Sequence, residues 1–256
     1  HVMRKMYVVN DTVTGVFSGI YDAWKEERTI ENAGILIRGQ IEQELFCEYF
    51  EVEESQHKAV AVERLIQKHM GYDTYWDIYH ACLADDSGKG TAVWGVMQSA
   101  KTVKDSRKIM EHLSNPAVAK VFELSRAVAN EAHIFKEFVR FKELDSGILI
   151  SKIAPKAQIL TCIAGHFANR LPLENWMICD KTHQMFLVHE ARKQWILVHD
   201  SKVDMEKIEQ YSCAENEYQI LWKSFVESLA IKERKNLGLQ RQHAPIYRRT
   251  YMVEFS

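Results

Sequence analysis

Three groups of residues carry the types needed for chemistry on a phosphate or a base. The first is near the C-terminal end, where Lys232, Arg234, Lys235, Arg241, Arg248 and Arg249 stand among Gln240, Gln242, Tyr247 and Tyr251. Between Ile231 and Arg249 a single acid, Glu233, faces these cations. Cations neutralise phosphates, amides read base edges and rings stack on bases, so the composition suits a nucleic-acid contact surface. It equally suits a solvated basic end or a clasp for an acidic segment. The second group is Arg126, Asn130 and His133, whose spacings of four and three residues put them on one helix face, with Arg140 beyond. His166 and Arg170, four residues apart on another helix, form the third. The last two groups could converge on a phosphate or a flipped base, with histidine giving or taking a proton. Glu131 and Asp180 are the carboxylates at hand. Each would act either as acid or base beside His133 or His166, or as an ion-pair partner tying the arginines into a structural network.

Other motifs carry less. Ser87-Gly88-Lys89-Gly90-Thr91 echoes a phosphate loop, but Leu83 stands where the first glycine belongs and the preceding segment reads as helix, so a turn is expected. Cys179 and His183 have a C-x3-H spacing, with His189 and His199 following, yet no second close ligand pair accompanies them and no metal is expected. Glu131-Ala132-His133 is a zinc-deaminase H-x-E reversed, and no PCxxC follows. Dinucleotide fingerprints, nucleophile elbows and helical HExxH motifs are missing, and no cofactor is implied.

Elements that would position these groups are legible from periodicity. Tyr7 to Val9 reads as a strand, Asn10-Asp11-Thr12 as a helix cap, and Val16, Phe17, Ile20, Tyr21 and Trp24 recur at helical spacing. Leu45 to Val52 has strand-like content, and helical patterns dominate from Ser55 to about Val128, with breaks expected at Gly71, at Asp85 to Gly90 and at Ser114-Asn115-Pro116. Pro116 to Phe138 should be one helix. Beyond it, Val139 to Leu144, the turn Asp145-Ser146-Gly147 and Ile148 to Ile153 predict a hairpin, followed by a helix over about Lys156 to Leu171. Three apolar runs, Trp176 to Cys179, Met185 to His189 and Trp195 to Val198, predict a meander, and a last helix should cover about Ala214 to Ala230. The fold class is therefore α+β: a mostly helical N-terminal half, then a small antiparallel sheet of hairpin plus meander packed with helices. Expected domains are 1–115, a β-turn-α and helical lobe, and 116–256, an α+β domain.

Composition bounds the rest. At 256 residues, with 46% apolar and 27% charged residues, the chain can bury a sizeable core. No apolar run approaches the roughly 20 residues that cross a bilayer, and the first ten residues lack a secretory pattern, so a cytoplasmic protein without a membrane partner is expected. Five widely spaced cysteines read as reduced thiols. Net charge is −2, but its distribution is uneven: six glutamates, Glu42, Glu44, Glu48, Glu51, Glu53 and Glu54, crowd residues 41–54, opposite in sign to the basic end.

The second half resembles the DUF4130 family through ordered blocks. These are Arg126, Glu131, His133, Phe135 and Phe138 leading to Arg140-Phe141; Gly147-Ile148-Leu149 with Pro155; His166-Phe167-Ala168-Asn169-Arg170, Trp176 and Asp180; then Tyr218, Leu221-Trp222-Lys223 and Ile231 to Asn236, with Leu239-Gln240 and Pro245. The opening, from Tyr7 through Tyr21-Asp22-Ala23, is similar to the long form of that family, described as DNA-repair or DNA-metabolism proteins. Leu237 replaces a usual proline, and Ile246-Tyr247-Arg248 replaces an aromatic-rich Arg-Tyr-Trp. The resemblance implies a DNA-related role and a radical-SAM protein as genetic partner, but no known chemistry. Three functions stay open: a nucleic-acid-binding accessory factor acting beside a catalytic partner, a nucleic-acid-processing enzyme for base excision or strand processing, and a protein-interaction module.

Overall fold

The computed structural model describes residues 3–40, 44–199, 203–210 and 214–235, with side chains described as far as Ser228. The chain divides into two compact units, His1–Ala129 and Asn130–Ser256.

In the first unit β1 (Arg4–Val9) runs into α1 (Val13–Lys25), whose first turn is capped by the Thr12 hydroxyl accepting from the Gly15 N–H. Cap and periodicity agree with the sequence here. A strand that periodicity does not reveal follows, β2 (Ala33–Ile37), and then β3 (Cys47–Glu51). All three are parallel, in the order β2-β1-β3. Over this sheet come α2 (Gln56–Leu83), broken at Gly71 where φ is 85°, and α3 (Lys89–Ala100). A 3-10 turn at Ser106–Glu111 leads to α4 (Pro116–Phe138), where Asn115 caps the first turn by accepting from the Ala117 N–H. The core joins Tyr7, Phe17, Ile20, Ile35, Tyr75 and Trp94, all fully buried. Each such side chain contributes about 1.5–3 kcal/mol when removed from water.

The phosphate-loop echo is indeed a turn. Gly88 precedes α3, and Lys89 is buried with Nζ donating to the Ala84 carbonyl (2.7 Å) and paired with Asp11 (2.5 Å). Its charge is spent inside the fold.

In the second unit five strands, β4 (Lys142–Glu143), β5 (Leu149–Ile153), β6 (Trp176–Asp180), β7 (Met185–His189) and β8 (Ile196–His199), lie side by side in chain order. The expected hairpin is β4-β5 and the expected meander is β6-β7-β8, both antiparallel. The joint between them, β5 to β6, is parallel. Its cause is α5 (Leu160–Arg170), which crosses over between the two strands and returns the chain in the same direction. Every residue of β6 is buried, as suits a central strand covered on both faces. On one face Met177, Cys179, Phe186 and Val188 pack against Met205 of α6 (Met205–Gln210) and against Tyr218, Trp222 and Phe225 of α7 (Ala214–Lys235). On the other, Trp176 meets Phe167 of α5 and Phe141, and stacks on His189 at 4.8 Å. Among the described residues no helix is long and apolar enough to cross a membrane.

Candidate functional site

The second unit sets two cations around a histidine. His166 is exposed on α5, with its ring edge-on to Phe167. Arg170 follows one turn later, and Lys136 comes from α4. Partial burial first, then the positive charges of Lys136 and Arg170, hold the imidazole below its usual pKa. His166 is therefore neutral near pH 7 inside a cationic surround, which leaves it able to take up a proton when an anion arrives. Lys136 is the member that sequence reasoning passed over. Its signal was there, since it lies three residues after His133 on the same helix and four before Arg140.

The other α4 candidates have separate surroundings. Arg126 is in the first unit, exposed, its guanidinium over the Phe122 ring of its own helix at 5.4 Å. Asn130 and His133 are exposed, and His133 Nε2 lies 3.3 Å from Glu137, one turn on. Arg140 closes the C-terminal end of α4, its Nη1 donating to the carbonyls of Glu137 (2.7 Å) and Val139 (3.0 Å).

Both candidate carboxylates are engaged by backbone. One oxygen of Glu131 accepts from the Lys156 N–H at 2.7 Å and the other from the Ala157 N–H at 2.9 Å, which docks α4 onto the segment ahead of α5. That docking holds Lys156 and Ala157 on Glu131, and α5 begins at Leu160 and not at Lys156. Asp180 is buried at the end of β6. Its Oδ1 accepts from the N–H groups of Thr182 and His183, and its Oδ2 lies 2.6 Å from His183 Nδ1, which shapes the β6-β7 turn. Cys179, the other half of the C-x3-H pair, is in the core, its thiol pushed up by burial. No group of three or more histidine, cysteine or acidic residues able to hold a metal occurs among the described residues.

Lys232, Arg234 and Lys235 fall on the last stretch of α7, but their side chains lie outside the described residues, as do Gln240, Arg241, Arg248 and Arg249 altogether. In the first unit two clefts of about 180 and 250 Å³ share Trp24, Leu65 and Met97 and are mostly apolar. The candidate cations do not line them.

The model of a family described as a domain of unknown function, DUF4130, matches residues 87–254. The chain belongs to the DUF4130 family. No curated protein matches it. The DUF4130 stretch contains every candidate residue named above, from Arg126 to Arg249, whereas the parallel sheet β1 to β3 precedes it. In this DUF4130 chain the cationic group is built by α4 and α5, two of the blocks that carry the resemblance.

Proposed function

We propose that this DUF4130 chain is a nucleic-acid-binding accessory factor in DNA repair or DNA metabolism. It acts through the cationic surface of its second unit beside a catalytic partner, for which a radical-SAM protein is the candidate. The supporting observation is the electrostatic setting of His166: the charges acting on it, Lys136 and Arg170, are both positive. A catalytic histidine needs a carboxylate or a reacting proton beside it. Here Glu131 and Asp180 are each committed to two backbone N–H groups. Cations that have no carboxylate partner among the described residues suit phosphate contact, and the sequence adds further cations of the same kind from Lys232 to Arg249.

Binding to single- and double-stranded DNA, followed by fluorescence anisotropy across a salt series, tests this. Wild type should bind more weakly as salt rises, and Lys136→Ala/Arg170→Ala should show a log-log slope shallower by roughly 1–2, as two lost phosphate contacts require. Arg234→Ala/Arg241→Ala reports on the tail in the same way. Failure of the wild type to bind either DNA at low salt would remove the proposal.

A further inference from the structure

We infer that the free edge of β3 is a docking strand for an extended basic segment of a partner protein, which adds to the parallel sheet of the first unit. Three observations bear on it. First, β3 ends the sheet, and its outer edge has no strand partner among the described residues. Val52 donates to the Val8 carbonyl at 3.0 Å, and amides alternate sides along a strand, so those of Tyr49 and Glu51 point away from β1. Second, parallel strands are ordinarily covered on both faces, yet residues 48–51 are exposed on both. Third, the exposed side chains include large apolar ones: Leu45 is 85% and Phe46 83% exposed, and Tyr49 and Phe50 are 37% and 40%. Phe46 also has φ 65°, a conformation that a bulky residue adopts only under constraint. An open, apolar strand edge is a liability that proteins otherwise cover or blunt.

Charge identifies the occupant. Glu44, Glu48, Glu51 and Glu53 surround these aromatics, and Glu51 already holds Arg38 at 2.6 Å in an exposed pair. A second copy of this chain would set glutamates against glutamates, which is unfavourable directly across a strand pair. Nucleic acid is repelled outright. A peptide strand alternating basic and apolar residues satisfies the backbone edge, the rings and the carboxylates together. This surface precedes the DUF4130 stretch and does not depend on the nucleic-acid reading.

The test uses the full chain and a fluorescein-labelled peptide alternating lysine and valine, with two controls: the same peptide N-methylated on alternate residues, and one alternating glutamate and valine. Micromolar binding of the lysine peptide is expected, weakened about tenfold or more by N-methylation and to a similar degree by Glu48→Gln/Glu51→Gln. An unchanged melting curve of that variant shows that its fold is intact. Three outcomes overturn the inference: no binding of the lysine peptide at low salt, equal binding of the N-methylated peptide, or a sedimentation dimer of the chain that Tyr49→Lys abolishes.

Discussion

Replacing Glu131 by alanine separates a structural carboxylate from a catalytic one. The wild-type carboxylate receives one N–H on each oxygen, from Lys156 at 2.7 Å and Ala157 at 2.9 Å. Hydrogen bonds to a charged group contribute about 1.5–3 kcal/mol each. Lys156 is exposed, so water can replace its partner at little cost, whereas Ala157 is buried and its amide is left without one. The net loss for Glu131→Ala is therefore about 2–3 kcal/mol, and Glu131→Gln, which keeps one carbonyl oxygen, should lose about half of that. For a unit of this size the alanine change lowers the melting temperature by roughly 6–12 °C. Thermal unfolding followed by circular dichroism measures it, with DNA anisotropy at low temperature as the second readout. Glu131→Ala melting within about 1 °C of wild type would refute the docking role and return Glu131 to the list of acids and bases.

Four further outcomes are expected. His166 is held below its ordinary pKa in the free protein, and a nearby phosphate must raise it, so DNA affinity should climb as pH falls below about 6.5 while His166→Gln flattens the profile. Because the unfolded imidazole binds its proton at higher pH than the folded one, the same group also lowers folding stability as pH falls from its ordinary pKa towards the folded value, which acid melts should show. A Cβ at Gly15 would sit 2.4 Å from the Asn10 carbonyl oxygen, so Gly15→Ala forces the β1-α1 turn open and should cost about 1–3 kcal/mol in denaturant melts. Asp180→Ala removes the acceptor of the Thr182 and His183 amides; Thr182 is exposed and His183 half-buried, so water replaces part of the loss and the cost should be about 1–2 kcal/mol, whereas Asp180→Asn, which retains an acceptor for them, should cost less.

Particular residues show how much was legible and why. The helix over about Pro116 to Phe138 was legible because the Ser114-Asn115-Pro116 break, proline in the first turn and the apolar stripe are all local signals. The hairpin, the meander, the break at Gly71 and the turn before α3 were legible for the same reason. Ala33 to Ile37 was not. Its five residues, four apolar and one glycine, are too few to separate strand from helix by period, and only pairing with β1 makes them a strand. The cationic group was half legible: His166 and Arg170 share a helix, but Lys136 joins them only because α4 and α5 meet in the folded second unit.

Sequence alone determined the α+β class, most of the helix and turn positions, the family resemblance and the candidate residues, since periodicity, capping and motif order are properties of neighbours along the chain. Tertiary structure decided the parallel joins, β1 with β2 and β3 and β5 with β6, because strand partners far apart in sequence are chosen by burial and register. It also decided which polar groups are spent. Glu131, Asp180 and Lys89 look in sequence like acids, bases or phosphate ligands, and folding commits each to backbone atoms because a buried polar group must be hydrogen-bonded to be tolerated.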